Sequence, residues 1–186
     1  TNQIIVVNLD NKDYSHFLKQ AKKYKEIIPY SFEKKSLNED LEKLLSVLDS
    51  SKTVILAASG GVNSKKSDNY GINQQSLELL SCIQETKAKN ILLLFANPYV
   101  LESIDTICDY NALIVAYQNT SQLQTAAAKS IFTPHNFTAC LPVDASVTYK
   151  AAADFAIALP QKEYSKFSKI DSLITYGINQ EAYPGA

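Results

Sequence analysis

The chain alternates between short apolar runs and longer segments in which apolar residues return at helical spacing. Five runs have the length of a β-strand, at 4–7, 28–32, 54–58, 91–95 and 113–116. The strongest three are almost wholly apolar rather than alternating, which is the pattern of strands covered on both faces of a parallel sheet. The sequence therefore predicts a mostly parallel sheet that is buried between other elements.

Helical periodicity fills the segments between these runs. One-sided apolar stripes predict helices over 37–48, 73–86 and 120–132, and a further helix carries a stripe that includes Tyr14 and Phe17. Strand-helix alternation of this kind implies right-handed crossovers, with helices on both faces of one sheet. The predicted fold is α/β, a three-layer α/β/α sandwich of flavodoxin-like type.

Three polar loops follow predicted strands, at 59–71, 97–99 and 117–120. In a parallel sheet the carboxyl ends of the strands meet at one edge, and ligands and partners gather there. A binding site or docking surface is therefore expected at these loops.

The pattern changes after Ala151. Residues 150–166 are typical of a packing tail followed by a polar linker, and a new amphipathic helix is predicted to begin near Ser168. We therefore expect a sandwich domain over 1–163, and a linker with the first helix of a truncated further domain over 164–186. The chain is interpreted as a piece of a longer protein.

Charge and composition narrow the function classes. The 18 basic and 19 acidic side chains give a formal net charge of -1, which provides no global field to attract nucleic acid or anionic lipid. No apolar run approaches the roughly 20 residues that cross a bilayer. We predict no nucleic-acid partner and no membrane span in this fragment.

Metal and thiol chemistry are not indicated either. Cys82, Cys108 and Cys140 are widely spaced, without a CxxC pair or a histidine at ligand spacing, so buried free thiols are expected. His16 lies off the apolar stripe of the first helix and His135 lies in a loop, so structural or surface roles are expected for both. No metal ligand and no cofactor are predicted.

Candidate chemistry at the strand ends is sparse. Only one acid lies in a loop at the carboxyl edge, Asp68, which would either take part in catalysis or, as we favour, order its loop by accepting backbone N–H bonds. Gly60 and Gly61, followed by Lys65 and Lys66, are similar to a phosphate-binding loop. They lack the glycine that should precede the lysine, so a flexible turn is favoured.

An ordered series of motifs runs through the second half of the chain. Its members are Asp68-Asn69-Tyr70-Gly71-Ile72, Asn97-Pro98-Tyr99, Ala116-Tyr117-Gln118, the helix 120–132 and Leu141-Pro142-Val143. In this order the series resembles the C-terminal domain of family 3 glycoside hydrolases, especially the bacterial β-N-acetylglucosaminidase type. The likeness covers about residues 1–150. It departs in the turn 137–140, where the family has glycines and this chain has none.

The resemblance implies that the catalytic residues lie outside this chain. In the family the nucleophile belongs to an N-terminal (β/α)8 barrel, and in the N-acetylglucosaminidase branch the barrel also supplies the acid/base. The implied partners are this barrel of the same parent chain and, indirectly, an N-acetylglucosaminide carbohydrate. The resemblance implies a role in lining the substrate site or the interface for four residues, Asp68, Asn69, Tyr70 and Asn97. It implies no catalytic residue in this chain. The parent is expected to be the hydrolase, and the fragment alone is expected to be inactive.

Residues 167–186 resemble the opening of a serine hydrolase of the class C β-lactamase and penicillin-binding type. In such proteins a first helix is followed by a Tyr-Pro-Gly-Ala turn, as at Tyr183-Pro184-Gly185-Ala186. This second resemblance implies a bacterial parent protein of the cell envelope or periplasm, in which a sugar hydrolase is fused to a β-lactamase-like domain.

Two other functions stay open on the sequence. One is a free-standing flavodoxin-like module that binds a nucleotide or a flavin at the loops of the strand edge. The other is a pure interaction domain, whose loops pack on a neighbour and never meet a ligand.

Overall fold

A computed structural model describes residues 3–32, 37–48, 52–61, 64–104, 110–134, 139–151 and 176. The strands are β1 Ile4–Asn8, β2 Ile27–Ser31, β3 Thr53–Ser59, β4 Lys89–Phe95 and β5 Ala112–Val115. The α-helices are α1 Ser15–Ala21, α2 Leu37–Val47, α3 Gln74–Gln84, α4 Leu101–Ile104 and α5 Ser121–Phe132. Two 3-10 segments, Lys66–Gly71 and Pro98–Val100, follow β3 and β4. All five predicted strands are confirmed.

The strands form one parallel sheet in the order β2-β1-β3-β4-β5. In the register of the pairs, Val6 of β1 lies between Pro29 of β2 and Ile55 of β3. This strand order is that of flavodoxin-like folds, in which β1 and β3 flank the topological switch point. The predicted three-layer α/β fold of flavodoxin-like type is therefore confirmed.

An apolar core covers each face of the sheet. Along β3, Val54 and Leu56 enter one core, and the alternate residues Ile55 and Ala57 enter the other. Successive side chains of a strand point to opposite faces, so a strand that is covered on both faces has to be continuously apolar. This requirement explains the uninterrupted runs in the sequence.

Helices α2 and α3 pack on one face of the sheet, while α1 and α5 cover the other. Leu44 of α2 and Ile83 of α3 are fully buried in the first core. Phe17 of α1 and Ala128 of α5 are fully buried in the second. The apolar stripes that predicted these helices are thus the faces that they bury. None of the described helices is long and apolar enough to cross a membrane.

The chain divides into two compact units, Thr1–Ala153 and Asp154–Ala186. The second unit lies outside the described residues, apart from an exposed Tyr176. The predicted boundary near residue 163, the linker and the helix near Ser168 fall there as well, and they stay predictions.

Candidate functional site

Three loops lie side by side at the carboxyl edge of the sheet. The segment Lys66–Gly71 follows β3, Pro98–Val100 follows β4, and the turn 116–120 follows β5. Because β3, β4 and β5 are adjacent and parallel, their loops leave the sheet at the same edge. The prediction that these loops meet is confirmed.

Polar contacts hold the loop after β3 against the helix that follows β4. Lys66 Nζ lies 2.8 Å from Glu102 Oε1, and this hydrogen bond raises the pKa of Lys66. Ser103 Oγ donates to Asn69 Oδ1 at 3.4 Å. Both partners of the ion pair are largely exposed, so it orients the loop more than it stabilises the fold.

Aromatic stacking adds a second connection between the same two loops. The rings of Tyr70 and Tyr99 are stacked, with their centroids 6.1 Å apart. Asn97 Oδ1 accepts the Tyr99 N–H at 3.1 Å, and thereby caps the turn that carries Tyr99. The structure therefore places the predicted residues Tyr70 and Asn97 in adjoining, mutually braced loops.

Asp68 stands at this edge as an exposed carboxylate. Within the described part of the chain, its carboxylate meets only the Ser67 hydroxyl, at 3.3 Å. The expectation that Asp68 orders its loop by accepting backbone N–H groups is therefore wrong. The loop is ordered by its own main chain instead, since the N–H groups of Asp68 and Tyr70 both donate to the Lys65 carbonyl at 3.0 Å.

Gly60 and Gly61 serve close packing. Their N–H groups donate to the carbonyl oxygens of Phe95 and Tyr70, at 3.1 and 3.0 Å, so neither N–H can bind a phosphate. A Cβ atom added at Gly60 would lie 2.5 Å from the Tyr70 carbonyl oxygen. The loop thus packs directly on the end of β3, which requires glycine at this position.

Left-handed backbone conformations gather at the same edge. Asn11 follows β1 with φ 56°, Asn69 and Tyr70 follow β3 with φ 47° and 52°, and Tyr117 follows β5 with φ 58°. For a tyrosine this conformation costs about 1–2 kcal/mol, and such strain concentrates at functional sites. The strained conformations of Tyr70 and Tyr117 therefore mark the loops after β3 and β5 as candidate functional positions.

A cleft of about 150 Å³ opens between the turns after β4 and β5. We call it the edge cleft, and it is lined by Gly61, Asn97, Pro98, Tyr117 and Gln118. The described lining residues offer one aromatic side chain and two amides, and none of them is a carboxylate, histidine, serine or cysteine. Such a cleft can bind a neutral polar ligand, but it lacks the paired carboxylates of a glycosidase and a nucleophile-base pair.

The switch point between β1 and β3 is filled by the chain itself. The carboxylate of Asp10 accepts the Ser59 N–H at 2.6 Å and the Tyr14 hydroxyl at 2.9 Å. The Tyr14 and Ser59 hydroxyl oxygens lie 2.7 Å apart. Burial, and then the negative charge of Asp10, raise the pKa of Tyr14. This network occupies hydrogen-bond donors that a phosphate could use at the switch point. The negative charge of Asp10 would also repel a phosphate there.

The first turn of α1 is occupied in the same way. The Ser15 N–H donates to the Asp13 carboxylate at 2.8 Å, and this bond lowers the pKa of Asp13. The Phe17 N–H donates to the buried Gln124 Oε1 at 3.0 Å. Two of the N–H groups in the first turn of α1, where many doubly wound folds hold a cofactor phosphate, are therefore bound to side chains of this protein.

The remaining candidates lie away from the edge cleft. His16 is exposed, as expected, while His135 and Cys108 fall outside the described residues. Among the residues described, no group of three His, Cys, Asp or Glu side chains could hold a metal ion. The expectation of buried thiols is wrong for Cys140, which is exposed, and Cys82 is half-buried.

Cys140 is among the residues that line a groove beside β5. This groove, of about 580 Å³, runs along β5 between α5 and residues 139–141. Among its described lining residues, the polar side-chain groups are the hydroxyl groups of Tyr117, Ser130 and Tyr149 and the Cys140 thiol, and the rest are apolar. The described lining is therefore mostly apolar, with few polar groups to orient a small ligand.

Sequence reasoning missed two sets of residues at the carboxyl edge. Tyr117 and Gln118 line the edge cleft, whereas they enter the sequence analysis as part of a motif, with no site role predicted for them. Asp10 was overlooked as well, although its position directly after the first strand is the signal that could have found it. Asn69, Tyr70 and Asn97 are brought to one edge, with Asp68 exposed beside them.

Comparison with solved structures finds similar folds. The chain is similar to a glycoside hydrolase family 3 β-N-acetylglucosaminidase from Paenibacillus sp. strain FPU-7, with 13% sequence identity and a TM-score of 0.56. The match covers 79% of this chain and 28% of that enzyme, so the chain spans little more than a quarter of its length. The likeness is one of fold.

A second structure is the sugar isomerase domain of an RpiR transcription factor from Sphaerobacter thermophilus. It has 12% identity, a TM-score of 0.43, and coverage of 71% of this chain and 68% of that one; a match at this level carries no functional argument. No family model and no curated protein matches the sequence. Neither structure supports the predicted β-lactamase-like segment, which lies outside the described residues.

Proposed function

We propose that this chain is an accessory, non-catalytic domain of a β-N-acetylglucosaminidase-like glycoside hydrolase. The observation that carries the proposal is the fold likeness to such an enzyme, which extends over 79% of this chain but only 28% of the enzyme. A domain that accounts for so little of a hydrolase leaves room for a separate catalytic domain. The ordered motifs from Asp68 to Val143 point to the same family.

The chemistry of the carboxyl edge agrees with a non-catalytic role. Glycoside hydrolysis uses two carboxyl groups held about 5 to 10 Å apart on either side of the scissile bond. None of the described residues that line the edge cleft carries a carboxylate. Asp10 is engaged by Ser59 and Tyr14 at the switch point, and Asp68 is exposed outside the cleft lining.

The proposed partner is a (β/α)8 barrel of the same parent protein, which would supply both catalytic groups. Asp68, Asn69, Tyr70 and Asn97 would face that barrel or border its sugar site. Their loops are suited to this role, because stacking and hydrogen bonds hold them in fixed positions before any partner arrives. The β-lactamase-like continuation after residue 166 stays a prediction from the sequence.

Expression of the complete parent polypeptide tests the proposal. We expect the parent to release the aryl group from an aryl N-acetyl-β-glucosaminide, and to do so more slowly when Tyr70 is replaced by alanine. The ring of Tyr70 braces the edge loops, whereas Tyr24, on another part of the surface, stacks on Phe132. Tyr24→Ala is therefore the matched control, with unchanged activity expected. A parent without glycosidase activity would contradict the proposal.

A further inference from the structure

The lining of the edge cleft combines an aromatic ring with side-chain amides. Tyr117 is 43% exposed, and Asn97 and Gln118 share the cleft with it. An aromatic face packs against the C–H groups on one side of a pyranose ring, and amides bond to its hydroxyl or acetamido groups. A ligand with both an apolar face and neutral polar groups fits this lining.

The two amides have hydrogen-bonding capacity to spare. Asn97 Oδ1 accepts the Tyr99 N–H, which fixes the orientation of the amide group and leaves Nδ2 as a donor. Across the described ranges, no residue bonds to Asn97 Nδ2 or to the side chain of Gln118. Water solvates these groups in the open cleft, and the hydroxyl groups of a ligand can replace that water.

The backbone at Tyr117 holds its ring at the cleft under strain. The Gln118 N–H donates to the Ala116 carbonyl at 2.6 Å, so Tyr117 occupies the centre of a three-residue turn with φ 58°. Tyr117 is only partly covered by the fold, since 43% of it is exposed. Strain of this kind concentrates at ligand sites, where a side chain is displayed for a purpose other than packing.

The absence of charge around the cleft defines the class of ligand. No charged side chain is among the described lining residues, and the Gly61 N–H already donates to the Tyr70 carbonyl. A phosphate would therefore find no cation in this lining, and the Gly61 N–H would not be open to it. Nucleotides and phosphorylated sugars are poor candidates, whereas an uncharged sugar is a good one.

We propose that the edge cleft binds one uncharged, N-acetylated sugar ring without help from another domain. The inference that the sugar is uncharged follows from the residues that line the cleft. The inference that it is N-acetylated rests on the proposed function. The volume of about 150 Å³ is about half of the roughly 300 Å³ at which typical ligand pockets begin. The cleft therefore suits a single ring, with weak, millimolar affinity.

Titration of the full 186-residue chain with N,N′-diacetylchitobiose, followed by two-dimensional amide NMR, tests this proposal. We expect shift changes concentrated on Asn97, Tyr117 and Gln118, including their side-chain amides, and smaller changes with cellobiose. Equal changes with cellobiose would overturn the N-acetylated sugar. No localised change with either sugar would overturn the site itself.

Variants of Tyr117 separate binding from folding. Tyr117→Gly removes both the ring and the left-handed strain, so the chain should melt at the same temperature or higher while binding about tenfold more weakly. Tyr117→Phe keeps the ring and should bind as the unchanged chain does. Tyr24→Ala removes a tyrosine of similar exposure, 37%, elsewhere on the surface, and should leave binding unchanged.

A Tyr117→Gly chain that binds diacetylchitobiose as tightly as the unchanged chain would overturn the proposal. This outcome is distinct from failure of the proposed function, because the titration needs no barrel and no hydrolysis. A parent without glycosidase activity would contradict the proposed function, whereas the titration measures sugar binding by the cleft itself.

Discussion

At the scale of single residues, Asp10 gives the carboxyl edge its most distinctive chemistry. It draws the Ser59 N–H and the Tyr14 hydroxyl to one carboxylate at the switch point between β1 and β3. The network spans 49 residues of sequence between Asp10 and Ser59. It explains why a buried tyrosine hydroxyl is tolerated here, since its donor and acceptor groups are both satisfied.

Tyr14 is expected to make the fold sensitive to alkaline pH. Its pKa is raised in the folded chain by burial and by Asp10, so the neutral phenol contributes stability below the ordinary tyrosine pKa of about 10. That contribution is lost as the pH rises above this value, by about 1.4 kcal/mol per pH unit. Urea denaturation from neutral to alkaline pH measures the slope.

Tyr14→Phe should remove this part of the alkaline slope, although the variant loses stability at neutral pH because Asp10 loses a donor. Tyr24→Phe is the matched control, because its hydroxyl lies outside the Asp10 network and the slope should not change. An alkaline slope that is the same in Tyr14→Phe and in the unchanged chain would contradict the assignment.

Gly60 is expected to be intolerant of a side chain. In Gly60→Ala, the new Cβ would meet the Tyr70 carbonyl oxygen at 2.5 Å and the Ala96 Cβ at 2.9 Å. Overpacking of this kind should lower the free energy of unfolding by about 1–3 kcal/mol. Ser81→Ala, on the exposed surface of α3, should change it by less than about 0.5 kcal/mol. Urea denaturation compares the two, and equal stabilities would show that the loop does not press on β3.

At the scale of elements, a buried glutamine connects α1 to α5. Gln124 is 3% exposed, accepts the Phe17 N–H through Oε1, and donates to the Asp13 carbonyl through Nε2 at 2.8 Å. Gln124→Leu keeps the volume but leaves the buried Phe17 N–H without its partner. We expect the free energy of unfolding to fall by about 1–3 kcal/mol, measured by urea denaturation.

Amide hydrogen exchange of Phe17 gives a local measure of the same prediction, and it should become faster in Gln124→Leu. Gln122→Leu changes an exposed glutamine on the same helix and should alter stability by less than about 0.5 kcal/mol. If both variants were equally stable, the connection between α1 and α5 would not depend on Gln124.

The elements themselves could be predicted from the sequence, because burial on both faces imposes a local pattern. Continuous apolar runs located β3 and β4, and one-sided stripes located α3 and α5. The Asp10 network could not be predicted, because only the strand order places the ends of β1 and β3 side by side. The edge cleft depends likewise on two turns being adjacent.

Residue spacing also failed to predict the roles of residues whose environment is set by contacts of the main chain. The position of Asp68 suggested that its carboxylate accepts the N–H groups of its loop, but main-chain N–H groups of that loop donate to the Lys65 carbonyl instead. Gly60 suggested a flexible turn, but it marks a close approach of two backbone segments. Such contacts form between segments whose distance in space the sequence does not give.

At the scale of the whole molecule, the described part of the switch point leaves few N–H donors for a cofactor phosphate. The Ser59 N–H at the switch point is bonded to Asp10, and the Ser15 and Phe17 N–H groups of α1 are bonded to Asp13 and Gln124. We therefore expect the purified chain to show no flavin absorbance, and to gain no thermal stability from added flavin mononucleotide. A concentration-dependent rise in melting temperature would contradict this expectation.

We propose that this chain forms a scaffold whose edge contacts a sugar without cleaving it. The most direct test is hydrolysis of an aryl N-acetyl-β-glucosaminide by the purified 186-residue chain, beside the proposed parent polypeptide at equal molar concentration. We predict turnover by the parent and none by the chain alone. Turnover by the isolated chain, abolished when its own Asp68 is replaced by asparagine, would contradict the account.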